Sequence, residues 1–239
     1  MFDHQDPSDI KSRCKALDPL PSRFRSGLLS MYYGEPQIGG DGKFYNIHST
    51  TYIPPEEGMW LFQLCRDFKP NATLEIGFAY GYSTLFFLAA LSENGTGHHT
   101  AIDPFEDELW HGIGMCHAKS VESDDYFRFI KSKSIIALPH LANSEKFDVI
   151  FIDGNHRFDD ALVDFTLSAE LCTLGGYIVL DDMWLPSIRM VAAFIHSNRP
   201  DFEELKAPLL NVAVFRRIGN DNREWNHYVQ FPPRKMGPS

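Results

Sequence analysis

Four short apolar runs carry an acidic residue at or near their C-terminal end, and this pattern constrains the fold more than any other feature. They are Thr73–Gly77 (TLEIG), Thr100–Asp103 (TAID), Phe147–Asp153 (FDVIFID) and Tyr177–Asp182 (YIVLDD). Each core is about the length of a buried strand. Phe127–Lys131 supplies another strand between the second and third of them. Helix-length segments alternate with the runs: Ser83–Leu91 (STLFFLAAL), Asp159–Leu174 and Ile188–His196. Such alternation implies a mainly parallel sheet covered on both faces. Ligands of such sheets bind beyond the carboxyl ends of the strands. Glu75, Asp103, Asp153, Asp181 and Asp182 collect there, so the same pattern predicts both fold and site.

The flanking punctuation fits this reading. Pro54-Pro55-Glu56-Glu57 has the proline and acidic residues of a helix first turn. Met59, Leu61, Phe62 and Cys65 follow at helical spacing, and Lys69-Pro70-Asn71 ends that helix. Gly175-Gly176 is expected to close the helix Asp159–Leu174. Phe202–Leu205 and Asn211–Ile218 read as later strands. Residues 1–52 are expected to form an arm or lid, with one helix within Phe24–Met31. Residues 53–239 then form a single domain, a size that suits one α/β unit.

Charge narrows the partners. The formal net charge is −10 and no block of Lys or Arg stands out. An acidic surface argues against nucleic acid and anionic membranes and leaves small molecules open. Cys14, Cys65, Cys116 and Cys172 are scattered without a C-x-x-C pair. They read as reduced thiols of a cytoplasmic protein, with Cys65 and Cys172 on helices. The start MFDHQDPSDIKSR lacks the basic and apolar regions of a signal peptide. No apolar run approaches the roughly 20 residues that span a bilayer.

The turn Glu75-Ile76-Gly77-Phe78-Ala79-Tyr80-Gly81-Tyr82-Ser83 joins the first strand to its helix. Glycines at 77 and 81 let the backbone approach a ligand, and the helix N-terminus behind them favours negative charge. The spacing is not the G-x-G-x-x-G of dinucleotide sites, and no Gly-Lys-Ser/Thr follows as in a P-loop. Asp103 ends the next strand, where a ribose diol is usually held. A ribose clamp without a pyrophosphate loop fits an adenosine ligand that lacks a diphosphate, and S-adenosylmethionine is the foremost candidate. Two rival readings stay open: a nicotinamide-dependent oxidoreductase on a Rossmann sheet, and a non-catalytic module that binds the cofactor.

Asp153, Asp181 and Asp182 would converge if their strands are neighbours. Three unpaired carboxylates repel one another, and a hard divalent cation relieves the repulsion. All-oxygen ligation favours Mg²⁺, Mn²⁺ or Ca²⁺ over zinc. Such an ion would chelate hydroxyls of the acceptor and lower the pKa of one of them. Asp153 and His156, in Asp-Gly-Asn-His, are both candidate bases. Asp182 could instead cap the following helix. Asp159 and Asp160 suit a helix first turn and are not counted as ligands.

The stretches LEIGFAYGYS, AIDPF, FDVIFIDGNHRFDDALVDF and GGYIVLDDMW together resemble class I S-adenosylmethionine-dependent methyltransferases. The likeness runs from about Ile53 to Ile218. It is to the small-molecule O-methyltransferases related to the macrocin and catechol enzymes. It implies a Rossmann-like α/β fold: a mostly parallel seven-stranded sheet with helices on both faces and an antiparallel last strand. It implies that Glu75, Gly77 and Ser83 line the methionine part of the cofactor, in the turn that also holds Tyr80 and Gly81. Asp103 would hold the ribose, and Ser132, Lys133 and Ser134 would lie near the adenine. Asp153, Asp181 and Asp182 match the three metal-binding aspartates of the macrocin-like branch. The implied acceptor is a small hydroxyl-bearing molecule, and dimers are common in the family. Trp110, His111 and Trp184 follow strand ends and could wall a substrate pocket, with Tyr45–Tyr52 closing over it.

Overall fold

A computed structural model describes residues 7–48, 51–207 and 209–232. The signal-peptide reading rests partly on residues 1–6, and the suggested lid includes Ser49 and Thr50; both lie outside the described residues. The chain runs α1 (Pro7–Arg13), a 3-10 turn (Cys14–Leu17), α2 (Ser22–Tyr32), β1 (Gln37–Ile38), β2 (Phe44–Tyr45), α3 (Pro55–Phe68), β3 (Ala72–Ile76), α4 (Tyr82–Asn94) and β4 (His98–Ile102). It continues α5 (Ile113–Ser120), β5 (Phe127–Ile130), α6 (Ser134–Leu141), β6 (Phe147–Ile152), α7 (Phe158–Leu171), β7 (Cys172–Leu180), α8 (Pro186–Asn198), β8 (Phe202–Leu205) and β9 (Ala213–Arg217). The large sheet has seven strands in the order β5-β4-β3-β6-β7-β9-β8. β9 pairs antiparallel with both β7 and β8, so the sheet is mostly parallel with an antiparallel edge, as expected.

Contacts group the chain into two compact units, Met1–Pro70 with Phe78–Lys131, and Asn71–Gly77 with Ser132–Ser239. In the first, α4 is apolar all round and buried from Tyr82 to Leu91. A helix with no polar face belongs in a core. α3 packs closely on it because Gly58 faces Phe86: a Cβ there would overlap the ring. Gly58→Ala is therefore expected to cost about 1–3 kcal/mol, the usual range for overpacking. Urea unfolding would register it as a lower midpoint, and an unchanged midpoint would contradict this packing. Arg13 donates to both carboxylate oxygens of Glu56 through Nε and Nη2, tying α1 to α3. The N-terminal region is thus more ordered than its sequence suggests. Besides α2, near the expected helix, it holds α1, the 3-10 turn and the β1–β2 hairpin.

The second unit contains β3, β6, β7, β9 and β8, with Leu74, Phe151, Phe165, Val179 and Phe215 in its core. Its parallel register sets Ile76 beside Ile152, and Ile152 beside Leu180. The next residues, Gly77, Asp153 and Asp181, therefore leave the sheet at one level.

The helix expected over Asp159–Leu174 ends at Leu171, and Cys172–Leu174 belong to β7. Cys172 pairs with Phe147, and the register then shifts before Val149 pairs with Tyr177. Gly175, at φ +84°, and Gly176 form this irregularity instead of a helix cap. The Thr173 hydroxyl donates to Asp148 Oδ1 across it at 2.9 Å. β-Pairing overrides the helical pattern of the apolar residues here. α5 and α6 were not expected either; both are short, and Pro139 interrupts α6. All four cysteines are free thiols, three buried and Cys116 half-buried. Among the described residues, no helix is long and apolar enough to cross a membrane.

Candidate active site

The site in the second unit begins with the ends of β3, β6 and β7. The Asp153 N–H donates to the Ile76 carbonyl at 2.9 Å, and the Asp181 N–H to the Ile152 carbonyl at 3.1 Å. These bonds extend the parallel ladder one residue past the strands. Gly77 has φ +95°, and a Cβ there would overlap the Asp153 carbonyl oxygen. Only glycine permits both the dihedral and the close approach.

Beyond the ladder, Asp153, His156 and Asp182 converge, their ligand-capable atoms all within 4.8 Å of one another. His156 Nε2 lies 2.7 Å from Asp182 Oδ2 and 3.6 Å from Asp153 Oδ1. The two carboxylates, Asp153 and then Asp182, hold the imidazole pKa up to about 10 despite partial burial. The ring is therefore an imidazolium at neutral pH, balancing charge between two acids. The other oxygen of Asp182, Oδ1, accepts from the Trp184 indole N–H at 2.7 Å. Asp182 itself has φ +57°, uncommon for a residue with a side chain. Ser187, in the first turn of α8, donates its hydroxyl to the His156 carbonyl at 2.6 Å and pins the His156 loop.

Asp181 is turned elsewhere. It is buried, and its Oδ1 accepts from the Asp182 N–H and from Asn211 Nδ2, both at 2.6 Å. The Asn211 carbonyl in turn accepts from the Met183 N–H at 2.8 Å. The expected aspartate trio is thus divided: Asp153 and Asp182 meet around His156, while Asp181 braces the turn that presents Asp182. Asp182 does not cap α8, whose preceding residue is Leu185. Asp159 and Asp160 lie in the first turn of α7. Glu75 is fully buried on β3. Lys133 immediately precedes α6, and the Ser134 hydroxyl bonds to Asp164, a buried carboxyl pushed up to about 6 by desolvation.

The first unit carries the rest of the glycine-rich turn. Asp103 Oδ2 accepts from the N–H groups of Phe78 and Ala79, each at 3.1 Å, and Oδ1 from that of Phe105 at 2.7 Å. A carboxylate offers about four acceptor positions, so capacity for a further donor remains. Gly81 sits at φ +82° just before α4, and Ser83 is buried in the first turn of that helix. The Tyr80 ring is turned inward against Trp110, edge-on at 5.2 Å. Tyr45 stacks on His111 at 4.0 Å, so the β1–β2 hairpin covers the loop after β4. That loop also carries Glu106, a buried carboxyl that accepts from the Met115 N–H and is pushed up to about 8 by desolvation.

Residues 74–183 match a family model described as a methyltransferase domain. A caffeoyl-CoA O-methyltransferase of Populus kitakamiensis is 30% identical over 151 residues, 59% of this chain and 60% of its own. Tapetum-specific methyltransferase 1 of Arabidopsis thaliana is 30% identical over 147 residues, 60% of each chain. In solved structures, the fold matches an S-adenosylhomocysteine-bound methyltransferase of Podospora anserina with a TM-score of 0.69, at 16% identity over 92% of this chain and 98% of that one. An O-methyltransferase of Bacillus cereus in complex with S-adenosylhomocysteine gives 0.67, at 17% identity over 89% and 97%. Residues 74–183 therefore carry the likeness to a methyltransferase domain, and the chain shares the fold of these solved methyltransferases. It spans about 60% of the length of the curated relatives it matches.

The family match takes in every site residue expected from sequence, from Glu75 to Asp182. It stops before Trp184, Ser187 and Asn211. The last two escaped the sequence reading. Ser187 lies just before the helix expected over Ile188–His196, Asn211 stood only as a strand start, and neither belongs to a motif.

Proposed function

We propose that the protein transfers a methyl group from S-adenosylmethionine to a hydroxyl oxygen of a small molecule. The observation that carries this reading is the Asp153–His156–Asp182 cluster at the carboxyl ends of β6 and β7. The caffeoyl-CoA and flavonoid O-methyltransferases among the relatives support the acceptor class.

S-adenosylmethionine, when bound, supplies an electrophilic methyl group on its sulfonium. Glu75, Gly77, Gly81, Ser83 and Asp103 would hold it, with Lys133 and Ser134 toward the adenine. The remaining acceptor capacity of Asp103 suits a ribose hydroxyl, and Tyr80 would contribute its backbone because its ring faces inward. The acceptor hydroxyl must lose a proton to attack the methyl carbon. While His156 is an imidazolium it can only donate, so a carboxylate oxygen of Asp153 takes that proton. The neutral imidazole becomes a second base only after its own proton has left. The partly exposed Trp184 indole, anchored on Asp182, offers the acceptor an aromatic wall.

A divalent cation would be held by the carboxylates of Asp153 and Asp182, with His156 able to join only after losing its proton, and would polarise an acceptor hydroxyl when bound. The deciding experiment is calorimetric titration of S-adenosylhomocysteine into the protein, with Mg²⁺ and then with EDTA. Saturable binding near one per chain is expected, followed by methylated product when diols are screened. No binding in either condition, together with binding of NAD, would overturn the reading in favour of an oxidoreductase.

A further inference from the structure

We infer that Glu106 is a positioning residue for the cofactor: its buried side chain ties the start of α5 against the Phe78–Gly81 turn and so keeps that turn in the shape that receives S-adenosylmethionine. This deepens the proposed function and rests on it for the identity of the cofactor.

The turn needs holding. Ala79 has φ +46°, in the left-handed region that a side chain disfavours. Such backbone persists only where its surroundings enforce it. Asp103 supplies part of that restraint through the N–H groups of Phe78 and Ala79. α5 supplies the packing. A Cβ on Gly114 would overlap the Phe78 ring and stand 2.8 Å from the Ala79 carbonyl oxygen. One on Gly81 would stand 3.2 Å from the Gly114 Cα. The first turn of α5 therefore lies directly against the turn, with no side chain of its own between them at Gly114.

Glu106 holds α5 in that place. Its Oε1 accepts from the Met115 N–H at 3.0 Å, and its backbone carbonyl accepts from the Gly112 N–H at 2.9 Å. The loop that carries it begins at Asp103, whose Oδ1 accepts from the Phe105 N–H. One short loop thus connects the acid that grips the turn with the helix that packs on it.

The tie depends on charge. Glu106 is 1% exposed, and its Oε2 is buried with no hydrogen-bond partner among the described residues. An ionised carboxylate with one bare buried oxygen is costly, whereas a neutral acid is tolerated. Burial is the chief force on this group; Asp103 and Asp107 add repulsion, and the N–H groups of Met115 and Gly114 oppose it. Cys116, on α5, also faces it, and Lys131, which reaches the same loop, is paired with Asp107 and Glu108. The carboxyl therefore keeps its proton up to about pH 8. Above that pH a second charge appears beside Asp103 and the brace loosens. Cofactor affinity is thus full below this range and lost as the pH rises through it.

Calorimetric titration of S-adenosylhomocysteine into wild type, Glu106→Gln and Glu106→Ala tests this, from about pH 7 to about pH 9.5, with circular dichroism reporting the fold at each pH. Wild-type affinity should fall about tenfold or more across the range. Glu106→Gln is the conservative variant: its amide oxygen can accept from the Met115 N–H, and it carries no titrating charge. It should bind within about threefold of wild type at pH 7 and decline much less in alkali. Ionisation of the ligand's amino group is common to both proteins and cancels in the comparison. Glu106→Ala, which removes the tie, should bind about tenfold more weakly at pH 7. If it does not fold, the wild-type and Glu106→Gln profiles decide alone. The inference falls if those two profiles decline in parallel, or if folded Glu106→Ala binds as tightly as wild type. Either result with wild type still binding overturns the role of Glu106 alone, whereas no binding by wild type at any pH overturns the methyltransferase reading and this inference with it.

Discussion

Asp182→Asn is expected to lower kcat/KM for methyl transfer by about 10²–10⁴ while leaving the protein folded. Asparagine tolerates the positive φ at this position, so the turn survives. Its amide oxygen can still accept from the Trp184 indole. What it loses is the negative charge beside His156. The imidazole then keeps only Asp153, its more distant partner at 3.6 Å. Asp153→Asn removes the complementary charge and should cost a similar factor. The two share one histidine, so the double variant should fall well short of the product of the single losses. Initial rates with an accepted diol, beside thermal unfolding of each variant, would read this directly. A loss under threefold in both single variants would mean that the cluster takes no part in the reaction.

The sheet was legible because its central strands are buried on both faces, which writes them as unbroken apolar runs. Phe147–Asp153 differs from the observed β6 by one residue. The error at Cys172 has the opposite cause. The segment continues the apolar pattern of α7, and the force that makes it a strand is pairing with Phe147, a contact no local window contains. The same division holds at the site. Asp153 and Asp182 were readable as acids at strand ends, and His156 as an imidazole one turn beyond. That Asp182 and not Asp181 meets His156 depends on a left-handed backbone at Asp182 and on Asn211, which arrives from the connection before β9. Neither leaves a mark near the Asp-Asp pair. Asp103 was readable as an acid, but its use in holding the Phe78–Ala79 turn was not.

Gly77→Ala is expected to damage stability and activity together, by about 2–5 kcal/mol and about 10²-fold or more in kcat/KM. The backbone at φ +95° is one cost for any side chain, and the overlap with the Asp153 carbonyl oxygen is another. The second cost matters more for function. Asp153 is locked to β3 through its N–H on Ile76, so a methyl group at residue 77 must push this peptide away or break that bond. Either movement displaces the Asp153 carboxylate, and a shift of about 1 Å near reacting atoms can cost about 100-fold. Gly95→Ala separates the two effects. Gly95 also has positive φ, +68°, but a Cβ there meets nothing within 4 Å. It should cost only about 1–2 kcal/mol of backbone strain and leave kcat/KM of the folded protein unchanged. Urea midpoints and rates for both variants make the comparison. Equal losses would show that glycine is required at 77 for its dihedral alone, and that contact with Asp153 does not couple the glycine-rich turn to the acid cluster.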